Sequence, residues 1–399
     1  MDLDQLAVLR TPEGSAALAA AGRVAGGDPL TAAAALRSAG IPGDLAAAAL
    51  TQAELRRRAA GKFGAAAAGM FLTRPGLEQA TRGVVAGRRA ARLRAAGVTT
   101  LADLGCGLGA DALAAARAGI RVYAVEADPL TAAMAAANAE AAGLADLVTV
   151  ECGDATEFDV SRVDGAFCDP ARRRAGTGRR VFDPNSYSPP WDFVTDLAAR
   201  VPRTVVKVAP GLDHALIPAG AEAEWVSVGG DLVEAALWCG ELAGVPRRAT
   251  LLRERDDAVA LLTGTGTQEA PVGPVRRFLY DPDPAVVRAH LVAELAADLD
   301  ATLADPSIAY LYADEARPTP FARCLEITDV LPFSLKRLRA LLRERRVGRV
   351  EIRKRGSALE PEKLRRDLRL SGEAAADLVL TRVAGDPTVL VCRPAPAGG

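Results

Sequence analysis

The sequence predicts an α/β fold: a doubly wound, mostly parallel sheet with an antiparallel edge hairpin, a helical cap before it and a small α/β domain behind it. Three observations predict this. Short apolar runs recur at 99–104, 120–125, 147–151, 163–168 and 204–209, with Ala-rich helical stretches between the first three. Apolar strands alternating with helices bury both faces of a parallel sheet. A glycine turn, Gly105-Cys106-Gly107-Leu108-Gly109, joins the first run to its helix, and an acid, Glu126, closes the second run 21 residues after Gly105.

At 399 residues the chain has room for two or three domains, and at 50% apolar residues it can fill their cores. No segment reaches the ~18 uncharged apolar residues that a membrane helix needs. The start, MDLDQLAVLRTPEG, lacks the basic and apolar regions of a secretion signal. The expectation is a soluble cytoplasmic protein with no membrane partner. The six cysteines (106, 152, 168, 239, 324 and 392) form no CxxC pair, and only His214 and His290 are histidines. A reduced compartment and no metal site are expected. With a net charge of −1 the chain has no overall field to draw nucleic acid, so such affinity must come from a local patch.

Residues 1–61 are Ala-rich with leucines at helical spacing, broken by Gly26-Gly27-Asp28-Pro29 and Gly40-Ile41-Pro42-Gly43 into short helices. Residues 76–96 read as one helix with arginines on one side. The sheet strands follow. Residues 224–228 and 232–238, with Gly229-Gly230-Asp231 between them, predict an antiparallel hairpin closing the sheet edge. Residues 247–278 read as strands plus a linker, 284–304 as one helix, and 320–393 as strand, helix, strand, helix, strand. The expected division is 1–61 helical, 62–265 nucleotide-binding domain, 266–319 linker and helix, and 320–399 as the small domain.

The glycine turn carries the first chemistry. Gly105, Gly107 and Gly109 permit positive φ and let a ligand reach the backbone. The helix start beyond them, with Asp111 in its first turn, offers free N–H groups. Glu126 stands where an acid bonds a ribose diol in Rossmann-like sheets. Glycines alone do not separate NAD from S-adenosylmethionine. Asp103, two residues before the turn, suits an ammonium group and repels a pyrophosphate. Glu126 is followed by Asp128. After the third strand, Asp154-Ala155 places an acid where an adenine amino group would lie. Together these favour S-adenosylmethionine.

Chemistry in such a sheet sits beyond the carboxyl ends of the strands. The fourth strand runs into Asp169-Pro170-Ala171-Arg172. A carboxylate there can accept a hydrogen bond from an amine and orient its lone pair toward a methyl donor, so Asp169, Pro170 and Arg172 are the catalytic candidates. Arg172, Arg173, Arg174, Arg179 and Arg180, with Phe182, Tyr187 and Trp191 behind them, mix cations with aromatics as phosphates and stacked bases require. Cys168 and Cys239 read as core residues rather than nucleophiles. Lys207 is a charge inside an apolar strand, either snorkelling or pairing with a neighbouring acid, or else reaching substrate from strand five.

Residues 101–172 resemble a class I S-adenosylmethionine-dependent methyltransferase. Upstream, Lys62-Phe63, Met70-Phe71-Leu72-Thr73-Arg74 and Gly76-Leu77-Glu78-Gln79-Ala80-Thr81 are similar to the leading segment of the trimethylguanosine-synthase-like branch. That resemblance implies that the segment helps enclose the cofactor, with Thr73 and Gln79 near it. The chain departs from that branch at Asp169-Pro170-Ala171-Arg172, where no aromatic residue follows the proline. Residues 331–338 and 347–356 look like the THUMP-like domain found behind bacterial methyltransferases, which implies RNA as partner. Residues 336–355 hold ten Lys or Arg against two Glu, and in 349–353 Val350 and Ile352 alternate with polar residues, which predicts one apolar and one mostly basic face. The reading is a methyltransferase acting on a base nitrogen of tRNA or rRNA. The alternatives are a small-molecule or protein methyltransferase, an NAD-dependent oxidoreductase, and a non-catalytic RNA-binding protein.

Overall fold

The computed structural model describes residues 1–172, 187–253 and 258–395. They fall into two compact units: residues 1–222 with 236–244, and residues 223–235 with 245–399.

The first unit opens with four helices, α1 (Leu3–Leu9), α2 (Pro12–Val24), α3 (Pro29–Ser38) and α4 (Gly43–Phe63). Asp2, Thr11 and Asp28 cap the first three through side-chain oxygens, and proline begins the second and third. A 3-10 turn leads to α5 (Arg74–Gln79) and α6 (Gly83–Ala95). The single helix expected over 76–96 is therefore two. Ala80 and Arg82 adopt extended ψ, and the Lys62 ammonium donates to the carbonyls of Leu77, Glu78 and Ala80 at 2.6, 2.9 and 3.0 Å. A distant lysine ends the helix, which no local pattern announces.

Next come β1 (Thr100–Leu104), α7 (Ala110–Arg117), β2 (Arg121–Glu126), α8 (Pro129–Ala141), β3 (Val148–Cys152) and β4 (Gly165–Cys168). A two-residue ladder pairs β5 (Ala171–Arg172) with β6 (Tyr187–Ser188), followed by α9 (Trp191–Arg200) and β7 (Thr204–Val208). The five long strands pair in parallel in the order β7-β4-β1-β2-β3. β1 is buried along nearly its whole length because helices cover both faces. The helical cap packs Leu6, Leu9, Leu36 and Leu55 into one cluster with Leu72, Leu77, Leu108 and Met134.

The second unit holds most of β8 (Glu222–Val228) and the start of β9 (Asp231–Trp238), neighbours joined through Gly229-Gly230. They do not form the sheet edge. β10 (Arg247–Leu252) pairs parallel to β8, and β11 (Val259–Gly264) pairs antiparallel to β10 as the edge. The edge pair is thus antiparallel but lies further along the chain than expected.

A seven-stranded sheet follows. It comprises β12 (Phe278–Pro282), β13 (Thr302–Leu303), β14 (Leu311–Ala313), β15 (Ala322–Pro332), β16 (Val347–Lys354), β17 (Ala374–Val383) and β18 (Asp386–Pro394), in the order β13-β14-β12-β15-β18-β17-β16. Three strands therefore join this sheet from before residue 320, the expected start of the small domain. The helix expected over 284–304 is two, α10 (Pro284–Arg288) and α11 (Val292–Leu299). His290 has φ 60°, and the amides of His290 and Leu291 donate back to Val287 and Val286, a Schellman closure with histidine where glycine is usual. The last expected strand is also two, because Ala384 (φ 49°) and Gly385 (φ 88°) make a tight turn. Helices α12 (Leu335–Glu344) and α13 (Pro361–Leu368) bury Leu338, Leu342, Leu364 and Leu368 against this sheet. Among the described residues no helix is long and apolar enough to cross a membrane.

Asn138, on α8 and 1% exposed, ties two loops together. Its oxygen accepts from the Phe71 amide at 2.6 Å, and its amide donates to the carbonyls of Phe71 and Leu108 at 3.1 and 3.0 Å. Asn138→Ala strands three buried backbone groups, so we expect a loss of about 2–4 kcal/mol in urea denaturation.

Candidate active site

The turn after β1 is built as glycines require. Gly105, Gly107 and Gly109 have φ of 87°, 54° and 81°, values that side chains carrying a Cβ rarely adopt. The amides of Gly105 and Cys106 both donate to the Val125 carbonyl at 2.9 and 3.0 Å, which fastens the turn to β2. Gly109 then opens α7. From the other side Gly76 of α5 seats against Leu108, so closely that a Cβ would lie 2.8 Å from the leucine. The segment around Thr73 and Gln79 is thereby held against the turn, with Thr73 capping α5.

Glu126, at the end of β2, is anchored by both oxygens, which accept from the Gly107 and Asp128 amides at 3.0 Å each. Asp128 caps α8 through Thr131. Asp154, exposed beyond β3, accepts from the Thr156 amide and hydroxyl at 2.8 Å each, with Ala155 buried beside it. These acids lie where the strand ends place them.

Asp103 is fully buried, and neither carboxylate oxygen has a hydrogen-bond partner. Burial pushes its carboxyl well above the ordinary range. The charges of Asp111 and Asp169 add to that, while Arg89 and the remoter Ala112 amide oppose it. Asp111 is committed to an ion pair with Arg89, both side chains being almost buried. The Arg89 guanidinium also stacks 4.5 Å over the Phe167 ring on β4. Sequence patterning placed arginines on one side of this helix but gave no signal that Arg89 points into the core beneath the turn.

The fourth strand delivers Asp169 to the same place. Its amide donates to Leu104 at 3.3 Å, and its carbonyl oxygen sits 3.3 Å from where a Cβ on Gly105 would be. Its carboxylate pairs with Lys207 of β7 at 2.6 Å. The parallel register sets Cys168 opposite Val206, so the next residues, Asp169 and Lys207, lie side by side. Of the roles open to Lys207 in the sequence, the structure shows the pairing. Pro170 is buried, and a following proline holds Asp169 in extended backbone. Arg172 is described through its backbone alone. Its side chain, that of Tyr187, and Arg173, Arg174, Arg179, Arg180 and Phe182 lie outside the described residues. Trp191 is buried on α9. Cys168 is fully buried with its thiol pushed up, and burial pushes Cys239 up to about 11, so neither is a ready nucleophile.

The site thus joins a buried carboxyl without a hydrogen-bond partner, an open glycine turn, fixed acids on the neighbouring strands and an ion-paired carboxylate. That set suits a cationic ligand carrying a diol.

Comparison with known proteins agrees. A methyltransferase-domain model matches residues 102–171, a THUMP domain-like model residues 322–394, and a domain of unknown function residues 2–59. The chain is 36% identical over 355 residues to an uncharacterized S-adenosylmethionine-dependent methyltransferase of Mycobacterium tuberculosis, found in strains CDC 1551 / Oshkosh and H37Rv. The match spans 85% of this chain and 95% of the relative. The chain belongs to the S-adenosylmethionine-dependent methyltransferases. A crystal structure from Porphyromonas gingivalis W83, provisionally assigned as a methyltransferase, superposes over 99% of this chain and 100% of its own with a TM-score of 0.76. At 21% identity that likeness concerns the fold alone.

The C-terminal unit of the methyltransferase carries the expected basic residues, but not on the expected face. Val350 and Ile352 do pack inward. Part of the outward side of β16 is neutralised: Arg353 pairs with Asp281, Glu351 and Asp377, and Arg355, just past the strand, pairs with Asp281. Acids from β12 and β17, distant in sequence, balance the strand. The cations left over in 336–355 are Lys336, Arg337, Arg343, Arg346, Arg349 and Lys354, exposed and without an ion pair among the described residues. Most lie on or next to α12.

Asp103 yields a stability prediction. A carboxyl whose folded pKa lies above its unfolded value supports the fold at low pH and loses that support as pH rises through the folded pKa. Asp103→Asn should therefore raise the melting temperature of the ligand-free methyltransferase at pH 8. The gain should shrink as pH falls toward the ordinary carboxylate range, as followed by calorimetry.

Proposed function

We propose that this methyltransferase acts in the cytoplasm on a base nitrogen, exocyclic or ring, of structured RNA, either tRNA or rRNA. The observation that carries the RNA reading is the set of exposed, unpaired cations on and around α12, in a protein whose net charge is −1. Its likeness to THUMP domains supports the same partner.

The residues fit the cofactor. The Asp103 carboxylate, buried and without a hydrogen-bond partner, suits the ammonium of the methionine portion. Gly105, Gly107 and Gly109 leave room for it at the backbone. Glu126 takes the ribose hydroxyls, and Asp154 with Ala155 the adenine. Asp111 acts through Arg89, which it holds beneath the turn. Bound there, S-adenosylmethionine supplies an electrophilic methyl group on a sulfonium. Asp169 accepts a hydrogen bond from the target amine and turns its lone pair toward that methyl, a gain of positioning. Pro170 fixes the backbone of Asp169, and Arg172 and the arginines after it hold phosphate.

Two results test this reading. Asp169→Asn should cut methyl transfer to RNA by about 100-fold while calorimetric binding of S-adenosylhomocysteine stays within threefold of wild type. Unchanged transfer would remove Asp169 from the mechanism. Replacing Lys336, Arg337, Arg343 and Arg346 by alanine should weaken RNA binding and flatten its dependence on salt, by roughly one unit of slope for each phosphate that no longer meets a cation. An unaltered slope would move the RNA elsewhere.

A further inference from the structure

Lys207 is the charge in the site that the cofactor and substrate roles leave unexplained. It sits in Thr204–Val208, a strand whose other residues are all buried. A lysine in such a strand needs an acceptor for its ammonium. Two are in place among the described residues: Asp169 Oδ2 at 2.6 Å and the backbone carbonyl of Gln79 at 3.3 Å. The first lies at the end of β4. The second lies at the end of α5, the helix whose Gly76 rests on Leu108 of the glycine turn.

We infer that Lys207 is a positioning residue for methyl transfer: by holding one oxygen of Asp169, it aims the other at the substrate amine and binds α5 to the same point. The inference rests on the proposed role of Asp169. The chemistry supports it in three ways. A charge-assisted bond to one oxygen restrains the carboxylate and so narrows the directions its remaining oxygen can take. The pair is mostly shielded, with the lysine side chain 15% and the aspartate 33% exposed, so solvent screens it less than a surface pair. The contact to Gln79 makes the same ammonium report on the seating of α5, so the carboxylate is aimed only when the leading segment is home. Lys62 holds that helix end from the other side, and burial with the charges of Lys207 and Arg82 pushes its ammonium below the usual lysine range.

The test uses the full chain, labelled with ¹³Cγ-aspartate, and total RNA from a strain lacking its gene as methyl acceptor. The Asp169 carboxyl signal is identified by its loss in Asp169→Asn. In Lys207→Met that signal should move, and in Lys207→Arg return toward wild type. Methyl transfer should fall about 10- to 100-fold in Lys207→Met through kcat, with the dissociation constant of S-adenosylhomocysteine within threefold of wild type, and recover in Lys207→Arg. The double variant should be no slower than Asp169→Asn alone, since the lysine acts through that carboxylate. Lys207→Gln replaces the methionine variant if that one does not fold. An Asp169 signal indifferent to Lys207, or additive losses in the double variant, overturns the inference. If Asp169→Asn keeps full activity, the proposed mechanism fails instead. If wild type transfers no methyl to this RNA, the substrate reading fails, and the carboxyl signal still decides Lys207.

Discussion

A single buried carboxyl without a hydrogen-bond partner organises the catalytic unit. Asp103 is the next-to-last residue of β1, fully buried, and its carboxyl oxygens have no hydrogen-bond partner. Isolated buried charge is costly, and the surroundings show how the chain contains that cost. Arg89 is close enough to favour the charged form, but Asp111 takes its ion pair and Phe167 its face. Burial favours the neutral carboxyl, and a cation arriving at the glycine turn would favour the charged one. In the proposed site, the ammonium of S-adenosylmethionine would supply that cation.

The segment between the helical cap and the sheet is held by long polar side chains reaching in from elsewhere. Lys62 closes α5 through three carbonyls, Asn138 pins Phe71 to Leu108, and Lys207 reaches Gln79. The segment forms only short helical pieces before α6. Its place against the turn depends on these bonds and on the close approach at Gly76. Such an assembly couples the seating of one loop to the geometry of the carboxylate at the end of β4.

The second unit shows the same economy with charge. Arginines and acids alternate across β12, β15, β16 and β17 and neutralise one another. What stays unbalanced is the outer side of α12. Net charge hides this contrast, since −1 over 399 residues describes neither the paired sheet face nor the bare helix. The proposed RNA contact rests on the difference between those two surfaces.

The sequence by itself determined the parallel strands, the glycine turn and its order relative to Glu126, Asp154 and Asp169, because these follow from local periodicity and from positions at strand ends. Asp103, Asp128 and Asp154, read together, also favoured S-adenosylmethionine over NAD, because their places at the strand ends are local. Tertiary structure decided what depends on distant partners. Lys62 split the helix expected over 76–96, and a Schellman closure at His290 split the one over 284–304. Strands from before residue 320 entered the C-terminal sheet, and 247–264 took the sheet edge. Asp281 and Asp377 cancelled the basic strand that composition suggested. Lys207 and Asp169, 38 residues apart, met only because β4 and β7 align in parallel register. Pairings of that kind belong to the register between strands, and no window along one strand contains them.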